Sequence, residues 1–379
     1  MKPLASCLLL VVTACGPRSS NSTGGTCSVV ADVQTLGSDL SIASASPFLV
    51  PAPTHKIYDT GSEIAFFDPA AGATVGLSKA GQILAVPKGT PGAVRVVYEP
   101  IGQTLIDLTS AGGELLVMQT ASRTLTPGSS VATVEIYSLG AATPMRIAEA
   151  PMGTTWSILF SRFIFADPSN IFIQATVTDN ATSAETQQII RIQRGGGGAQ
   201  TSLVSKPSFG LSNAQKAGDY IYFTSKQGFG AIYRVATNAS APGTETRLTS
   251  ATGGVDDDAK CLVPYFDTSG IYCLRVLQLV KLDPLAMNPT VLRDDATLTP
   301  SPPNPGRVGL IDGDRVYLMV SASNTKAWPL QRITTSGGAA IDIACDRRIV
   351  QGITADSAHV YWVERAKSDA RAAIYRAPR

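Results

Sequence analysis

The chain has 379 residues, and its 31 basic residues nearly balance 29 acidic ones, which gives a formal net charge of +2. The basic residues form no stripe or block, which argues against nucleic-acid binding and against a polybasic membrane surface. Only 16% of the residues are charged, and Gly, Ser, Thr, Ala and Pro are frequent, a composition typical of many short strands and turns.

The first residues predict export and lipid attachment. Residues 1–14 place one Lys ahead of an apolar run that is too short to span a bilayer, as in a secretory signal peptide. The run ends in V-T-A-C, which resembles the lipobox of bacterial lipoproteins. This resemblance implies that Cys15 is lipidated and becomes the new N-terminus. Gly16 rather than Asp follows it, which favours the outer membrane.

Residues 15–26 are rich in Ser and Gly and predict a lipidated flexible tether. Residues 27–379 form the predicted folded domain, and its first run, Ser28 to Val33, has the pattern of a single strand. No later segment has the apolar length of a transmembrane helix. We therefore expect the membrane to be contacted through the N-terminal lipid anchor.

An internal repeat accounts for the rest of the chain. Seven short apolar runs each follow a turn, at intervals of 44 to 56 residues. A period of this size built from short strands is that of a four-stranded propeller blade. The first apolar residues of the seven runs are Ile64, Leu115, Ile171, Ile221, Ile271, Val316 and Val360.

The other strands of each unit surround this core run. Six units show an apolar run before the turn, all seven show a third strand, and six show a fourth. The seventh unit ends after its third strand, at Arg379, while Ser28 to Val33 supply a spare strand. Pairing the two would remove open sheet edges. The sequence therefore predicts an all-β, seven-bladed β-propeller closed by an N-terminal strand in the last blade.

The tetrad Asp59-Thr60-Gly61-Ser62 resembles a catalytic turn of aspartic proteases. It lies in the predicted turn between the first two strands of blade one, and blade five carries a variant, Asp267 to Gly270, in which Ser and Gly change places. An aspartic protease needs two carboxyl groups that share a proton. Blades one and five are not neighbours in a ring of seven, so both tetrads are interpreted as turns.

Other candidate chemistry has a structural interpretation. His55 and His359 fall at repeat positions, and no nucleophile motif accompanies them. Asp256 to Asp258 are interpreted as a solvated turn, with calcium binding as the alternative. Gly195 to Gly198 are interpreted as a turn rather than a phosphate loop. We predict no catalytic residue, no cofactor and no metal ligand.

A basic residue recurs in five of the predicted third strands. This recurrence favours a shared structural role, such as a solvated face or a contact between blades. A basic ring that binds an anionic ligand is the alternative. The five residues are Arg191, Arg234, Lys281, Arg332 and Arg376.

Four cysteines remain besides Cys7 of the signal and Cys15. An even number in an oxidising compartment predicts two disulfides, with three possible pairings. We favour Cys261–Cys273 within blade five, which requires a bulge in the strand pair. The second pair, Cys27–Cys345, would then fasten the ring shut.

The runs G-D-Y-I-Y-F-T…G-A-I-Y-R-V and A-H-V-Y-W-V…A-I-Y-R-A resemble the repeats of extracytoplasmic bacterial propellers of the TolB-like kind. The resemblance covers roughly residues 27 to 379 and implies a propeller lipoprotein of the cell envelope, periplasmic or surface-facing. It is specific to architecture, and implies no activity.

Propellers bind ligands at their faces and in the channel. The predicted inner strands contain few acidic residues, which favours a monomeric scaffold that binds an envelope protein or a glycan without catalysis. The alternative is a lyase, lactonase or glycoside hydrolase with its site at the channel mouth. Several carboxyl groups converging there would favour the enzyme.

Overall fold

The computed structural model describes residues 33–40, 57–68, 73–75, 78–89, 94–126, 129–140, 143–151, 156–195, 199–207, 210–225, 231–248, 262–275, 278–285, 289–294, 307–319, 328–347, 350–365 and 372–379. The predicted signal peptide, Cys15, the tether, Cys27, His55, Asp256 to Asp258 and Cys261 lie outside these ranges and stay predictions.

The described residues form seven four-stranded antiparallel sheets, and sequence-consecutive strands build the first six. Blade one contains β2 (Ile57–Asp59), β3 (Glu63–Asp68), β6 (Gln82–Pro87) and β7 (Arg95–Tyr98), with a small hairpin of β4 (Thr74–Val75) and β5 (Ser78–Lys79) inserted. Blade two contains β8 (Leu105–Ala111), β9 (Glu114–Thr126), β10 (Ser129–Ser138) and β11 (Met145–Ala150). Blade three contains β12 (Trp156–Ala166), β13 (Asn170–Asp179), β14 (Glu185–Gln193) and β15 (Gln200–Pro207).

The remaining four sheets repeat the pattern. Blade four contains β16 (Ser212–Ala217), β17 (Tyr220–Thr224), β18 (Ile232–Ala236) and β19 (Thr246–Arg247). Blade five contains β20 (Leu262–Asp267), β21 (Gly270–Arg275), β22 (Gln278–Leu282) and β23 (Pro289–Asp294). Blade six contains β24 (Arg307–Asp312), β25 (Arg315–Met319), β26 (Trp328–Thr334) and β27 (Ile341–Arg347). Blade seven contains β28 (Val350–Ala355), β29 (His359–Arg365), β30 (Ala372–Pro378) and β1 (Gln34–Leu40).

The ring closes in blade seven, where β1 pairs antiparallel with β30 as the fourth strand. The predicted closure is confirmed, but the predicted strand at Ser28 to Val33 is wrong in position. Val33 is outside any strand, and the pairing begins at Gln34. The reason is that Leu36 supplies the side chain buried between blades seven and one, while Gln34 accepts a hydrogen bond from Arg376 at 2.9 Å.

The core of the molecule lies between the blades. Successive side chains of a strand face opposite sides of its sheet. Ile64 therefore packs against blade seven, whereas Ala65 packs against blade two. In the described residues, one apolar cluster fills each of the seven gaps between neighbouring blades, including the gap between blades seven and one. This arrangement is a closed seven-bladed β-propeller.

All seven predicted core runs are second strands, and the first apolar residue of each is buried. The first strand of blade four had no predicted counterpart, because β16 reads S-N-A-Q-K-A. Two of its polar side chains bind the backbone of blade five instead of filling an apolar core. Asn213 Nδ2 donates to Pro264 O at 2.6 Å, and Gln215 Oε1 accepts from Phe266 N at 3.1 Å.

Candidate binding site in the central channel

The first strand of each blade borders the central channel, and polar side chains interrupt the first strands of blades one, two and three as well as that of blade four. We define the channel cluster as Tyr58, Asp107, Arg162 and Gln174. The first three lie on β2, β8 and β12, the innermost strands of blades one, two and three, and each is half-buried. Gln174 lies on β13 directly opposite Arg162 and is buried.

Tyr58 and Asp107 connect successive blades. The Tyr58 hydroxyl donates to Leu108 O of blade two at 3.1 Å. Asp107 Oδ2 accepts from Phe163 N of blade three at 2.7 Å, and its Oδ1 accepts from Leu108 N at 2.8 Å. Desolvation by burial, reinforced by the negative charge of Asp107, raises the pKa of Tyr58. Tyr58 therefore stays a neutral phenol in the physiological pH range.

Arg162 differs from Tyr58 and Asp107 because its guanidinium donates hydrogen bonds to a neutral side chain of its own blade. Its Nε donates to Gln174 Oε1 at 2.9 Å, and Nη2 donates to the same oxygen. Gln174 in turn donates to Leu211 O of blade four at 3.2 Å. Desolvation lowers the pKa of Arg162 to about 10, and the charge of Asp107 only partly opposes this effect. The guanidinium is therefore a cation with incomplete charge compensation at the channel wall.

A second polar group lies where the ring closes. We define the seam cluster as Asp59, Lys88, Asp356 and Tyr361. Lys88 Nζ contacts Asp59 Oδ2 at 2.9 Å and Asp356 Oδ2 at 2.6 Å, and so joins blade one to blade seven. Asp356 also accepts from the Tyr361 hydroxyl at 2.8 Å and from two backbone amides. Lys88 Nζ lies 5.4 Å from the centre of the Tyr361 ring.

The contacts within the seam cluster keep Asp356 and Lys88 charged at neutral pH. Desolvation raises the pKa of Asp356, but hydrogen bonds from Lys88, two backbone amides and Tyr361 outweigh it and hold this pKa well below its usual range. Desolvation lowers the pKa of Lys88, but its hydrogen bonds to Asp356 and Asp59 outweigh it, so the net pKa is raised. Two carboxylates do converge here, around one ammonium group. Asp356 is too weak a base and too strong an acid for proton transfer near neutrality.

The D-T-G-S tetrad is a turn, as predicted. Asp59 Oδ1 accepts from Gly61 N at 2.7 Å, and Gly61 has a φ of +96°. In the blade five variant, Asp267 Oδ1 accepts from Ser269 N at 2.8 Å in the same manner. The two turns belong to blades that do not adjoin, and Asp59 pairs with Lys88 instead of with a second catalytic carboxyl group.

The recurrent basic residues make structural contacts at four of the five positions. Arg191 Nη1 donates to Thr237 O of blade four at 3.1 Å, and Arg376 donates to Lys88 O of blade one. The Arg234 guanidinium lies 4.3 Å from the ring centre of Tyr220, and Lys281 Nζ lies 5.4 Å from that of Tyr272. Arg332 is half-buried and lies opposite Tyr317.

The structure also places His359 and Gly195. The His359 ring lies 6.0 Å from the Tyr361 ring and its backbone amide donates to Asp356, which fits a structural role. Gly195 has a φ of +73° at the turn after β14, as expected of a tight turn rather than a phosphate loop.

The cysteine pairings stay predictions. Cys273 is buried in the core between blades four and five, whereas Cys261 and Cys27 lie outside the described residues. The pairing of β20 with β21 contains a register shift between Leu262 and Tyr265, and Phe266 lies opposite Ile271.

Membrane-spanning helices and metal-binding clusters are both absent from the described residues. No helix in this part of the chain is long and apolar enough to cross a membrane. No cluster of three or more His, Cys, Asp or Glu side chains suited to a metal ion occurs among the same residues.

Comparisons with known proteins agree with the fold. No protein-family model matches the chain, and no curated protein matches it. A prolyl endopeptidase structure is similar with a TM-score of 0.54 at 10% identity, over 85% of this chain and 50% of the other. The chain thus spans half the length of that enzyme. At such low identity the similarity concerns the fold alone.

Two propeller domains are similar over most of their length. The β-propeller domain of the trilobed protease from Pyrococcus furiosus has a TM-score of 0.50 at 13% identity, over 82% of this chain and 91% of the other. That domain has an open velcro topology, whereas β1 closes the ring here. The Neurospora crassa Pan2 WD40 domain has a TM-score of 0.49 at 8% identity, over 92% of this chain and 96% of the other.

The sequence did not single out the channel cluster. Its members come from separate repeats, and Gln174 comes from a second strand rather than an inner one. A usable signal exists, since Asp107 and Arg162 are charged residues in the middle of otherwise apolar inner strands. Charge at such a position predicts either a contact between blades or a channel ligand.

Proposed function

We propose that this protein is a lipid-anchored scaffold of the cell envelope that binds a protein or glycan partner and carries out no catalysis. Cys15 carries the lipid, residues 15–26 form the tether, and the propeller stands at the outer membrane as a monomer. The lipobox-like run and the Ser/Gly-rich segment after it support this arrangement. The TolB-like character of the repeats supports an envelope location.

The observation that supports binding is the state of the titratable groups in the channel cluster and the seam cluster. Tyr58 has a raised pKa, Arg162 remains a cation at neutral pH, and the acidic Asp356 is held ionised by Lys88. General acid–base catalysis works best with groups whose pKa lies near the operating pH. These side chains instead offer fixed charge and hydrogen bonds, which serve recognition.

The test is crosslinking in intact envelopes followed by purification of the tagged protein. The expected result is a defined protein or glycan partner that is recovered from cells producing wild-type protein. A Cys15→Ala variant should appear in the soluble fraction and lose palmitate labelling. Recovery of no partner, combined with turnover of a glycoside, lactone or polysaccharide substrate, would replace this proposal with the enzymatic alternative.

A further inference from the structure

Blade three projects beyond blade four on the side of the molecule where β12 begins. β12 has 11 residues and β13 has 10, whereas their counterparts β16 and β17 have 6 and 5. When blades three and four are aligned at the turn between their first and second strands, the start of β16 lies at the level of Arg162 in β12. The residues of β12 before Arg162 therefore have no inner strand of blade four to cover them.

The uncovered segment carries exposed apolar side chains. Phe160 is 46% exposed and Leu159 is 59% exposed, whereas Ile158 and Phe163 of the same strand are buried against blade two. A register shift between Ile158 and Phe160 inserts Leu159 as an extra residue. The pairing is regular from Phe160 to Arg162, so these two side chains share one face of the strand.

Phe160 and Arg162 form a two-part recognition surface. Two residues along a strand are about 6.6 Å apart, which is also the spacing of same-side residues in an extended peptide. Among the described residues, Gln174 is the one hydrogen-bond acceptor of the Arg162 guanidinium, and the carboxylate of Asp107 acts on its charge only through space. Because this compensation is partial, charge complementarity favours an anionic group there. Phe160 offers an apolar contact beside it.

The backbone of β12 also has an open edge. In the described sheets β12 pairs with β13 alone, because it is the innermost strand of its blade. The N–H of Phe163 already donates to Asp107 Oδ2 of blade two, so the edge available to an added chain is the part of β12 before Phe163. A sheet edge of this kind accepts an added extended chain through main-chain hydrogen bonds, while alternate side chains supply specificity. A saccharide would leave this edge unused, so the surface favours a peptide.

We propose that Phe160, Arg162 and the open edge of β12 bind an extended peptide in which an apolar residue and an acidic residue occupy positions i and i+2. This inference deepens the proposed function and rests on it, because it assigns the binding role to one blade and names the class of partner.

The direct test measures binding of fluorescent blocked pentapeptides to the purified protein. The first peptide is T-L-T-E-T, the second replaces Glu with Gln, and the third, T-L-E-T-T, puts Leu and Glu on opposite faces. Binding of the first should be at least about tenfold tighter than binding of either other peptide, because one charge-assisted hydrogen bond contributes about 1.5–3 kcal/mol.

Variants of the protein assign the effect to the two side chains. Arg162→Gln should abolish the preference for Glu over Gln in the peptide, as a double-mutant cycle requires. Arg162→Lys should retain a reduced preference, which separates loss of charge from loss of folding. Phe160→Ser should weaken the first peptide several-fold. The matched controls are Arg146→Gln and Met145→Ser, which change two exposed residues of β11, the outer strand of blade two.

Three outcomes would overturn the inference. Arg162→Gln protein could keep the preference for Glu, the three peptides could bind equally, or a polyuronate could bind in an Arg162-dependent way while the peptides do not. Envelope crosslinking separates this failure from failure of the scaffold role. A partner captured equally by wild-type and Arg162→Gln protein would leave the scaffold role intact and place its site elsewhere.

Discussion

Removing the ammonium group of Lys88 should destabilise the closed ring. Lys88 joins two carboxylates of different blades, and all three side chains are largely buried. Lys88 is 14% exposed, Asp59 is 25% exposed and Asp356 is 19% exposed. Removal of one partner from a fully buried ion pair costs about 3–5 kcal/mol, whereas exposed pairs contribute less than about 1 kcal/mol. We therefore expect Lys88→Met to lower the free energy of unfolding by about 2–3 kcal/mol at pH 7.

The assay is equilibrium unfolding in urea at pH 7 and at lower pH. The lowered pKa of Asp356 contributes stability that is present above the unfolded carboxyl pKa of about 3.9 and is lost as pH falls toward the folded pKa. In the variant, the unpaired carboxylates relieve their repulsion by taking up protons. The difference between wild type and variant should therefore shrink below about pH 4.

A matched control separates this effect from the general loss of a surface charge. Arg95→Met breaks the ion pair with Glu63 in blade one, where the Arg95 side chain is 56% exposed, and should cost less than about 1 kcal/mol. If Lys88→Met costs no more than Arg95→Met, or if its cost is the same at pH 7 and pH 3, the seam cluster does not hold the ring closed by charge pairing.

Further substitutions test three other parts of the structure. Gly270→Ala should destabilise the protein by about 3 kcal/mol, because the φ of Gly270 is +153° and a Cβ there would lie 2.5 Å from Leu282 O. The control Gly61→Ala should cost about 1 kcal/mol, because a Cβ at Gly61 meets no atom within 4 Å. Urea unfolding measures both losses of stability. Leu36→Ala should lower the free energy of unfolding by about 2–5 kcal/mol and increase protease cleavage near the closing strand, because the Leu36 side chain is buried. If neither stability nor cleavage changes, this strand does not close the core. Desolvation raises the pKa of Tyr98 to about 12. The difference in ultraviolet absorbance between wild type and Tyr98→Phe, which reports ionisation of this phenol, should therefore appear above pH 11. A titration midpoint near pH 10 for this difference would contradict the burial of Tyr98.

The pattern of apolar residues determined the fold to a large extent. The seven core runs appear in the sequence because each run is buried on both faces of its sheet and is therefore almost entirely apolar. The need for a closing strand also followed from the sequence, since the last unit lacks one. The position of that strand did not, because Ser28 to Val33 is the more apolar of the two neighbouring runs, whereas pairing with β30 selects Gln34 to Leu40.

Interactions between blades were decided by the tertiary structure. The polar strand Ser212–Ala217 folds as an inner strand because Asn213 and Gln215 bind the backbone of blade five. Lys88 is an ordinary loop residue until ring closure brings Asp356 to it from the other end of the chain. In the same way, the exposure of Phe160 depends on the shorter neighbouring blade. A local sequence pattern predicts which residues are buried. It does not predict which residues they contact across each gap between blades, because those contacts form only when the ring is assembled.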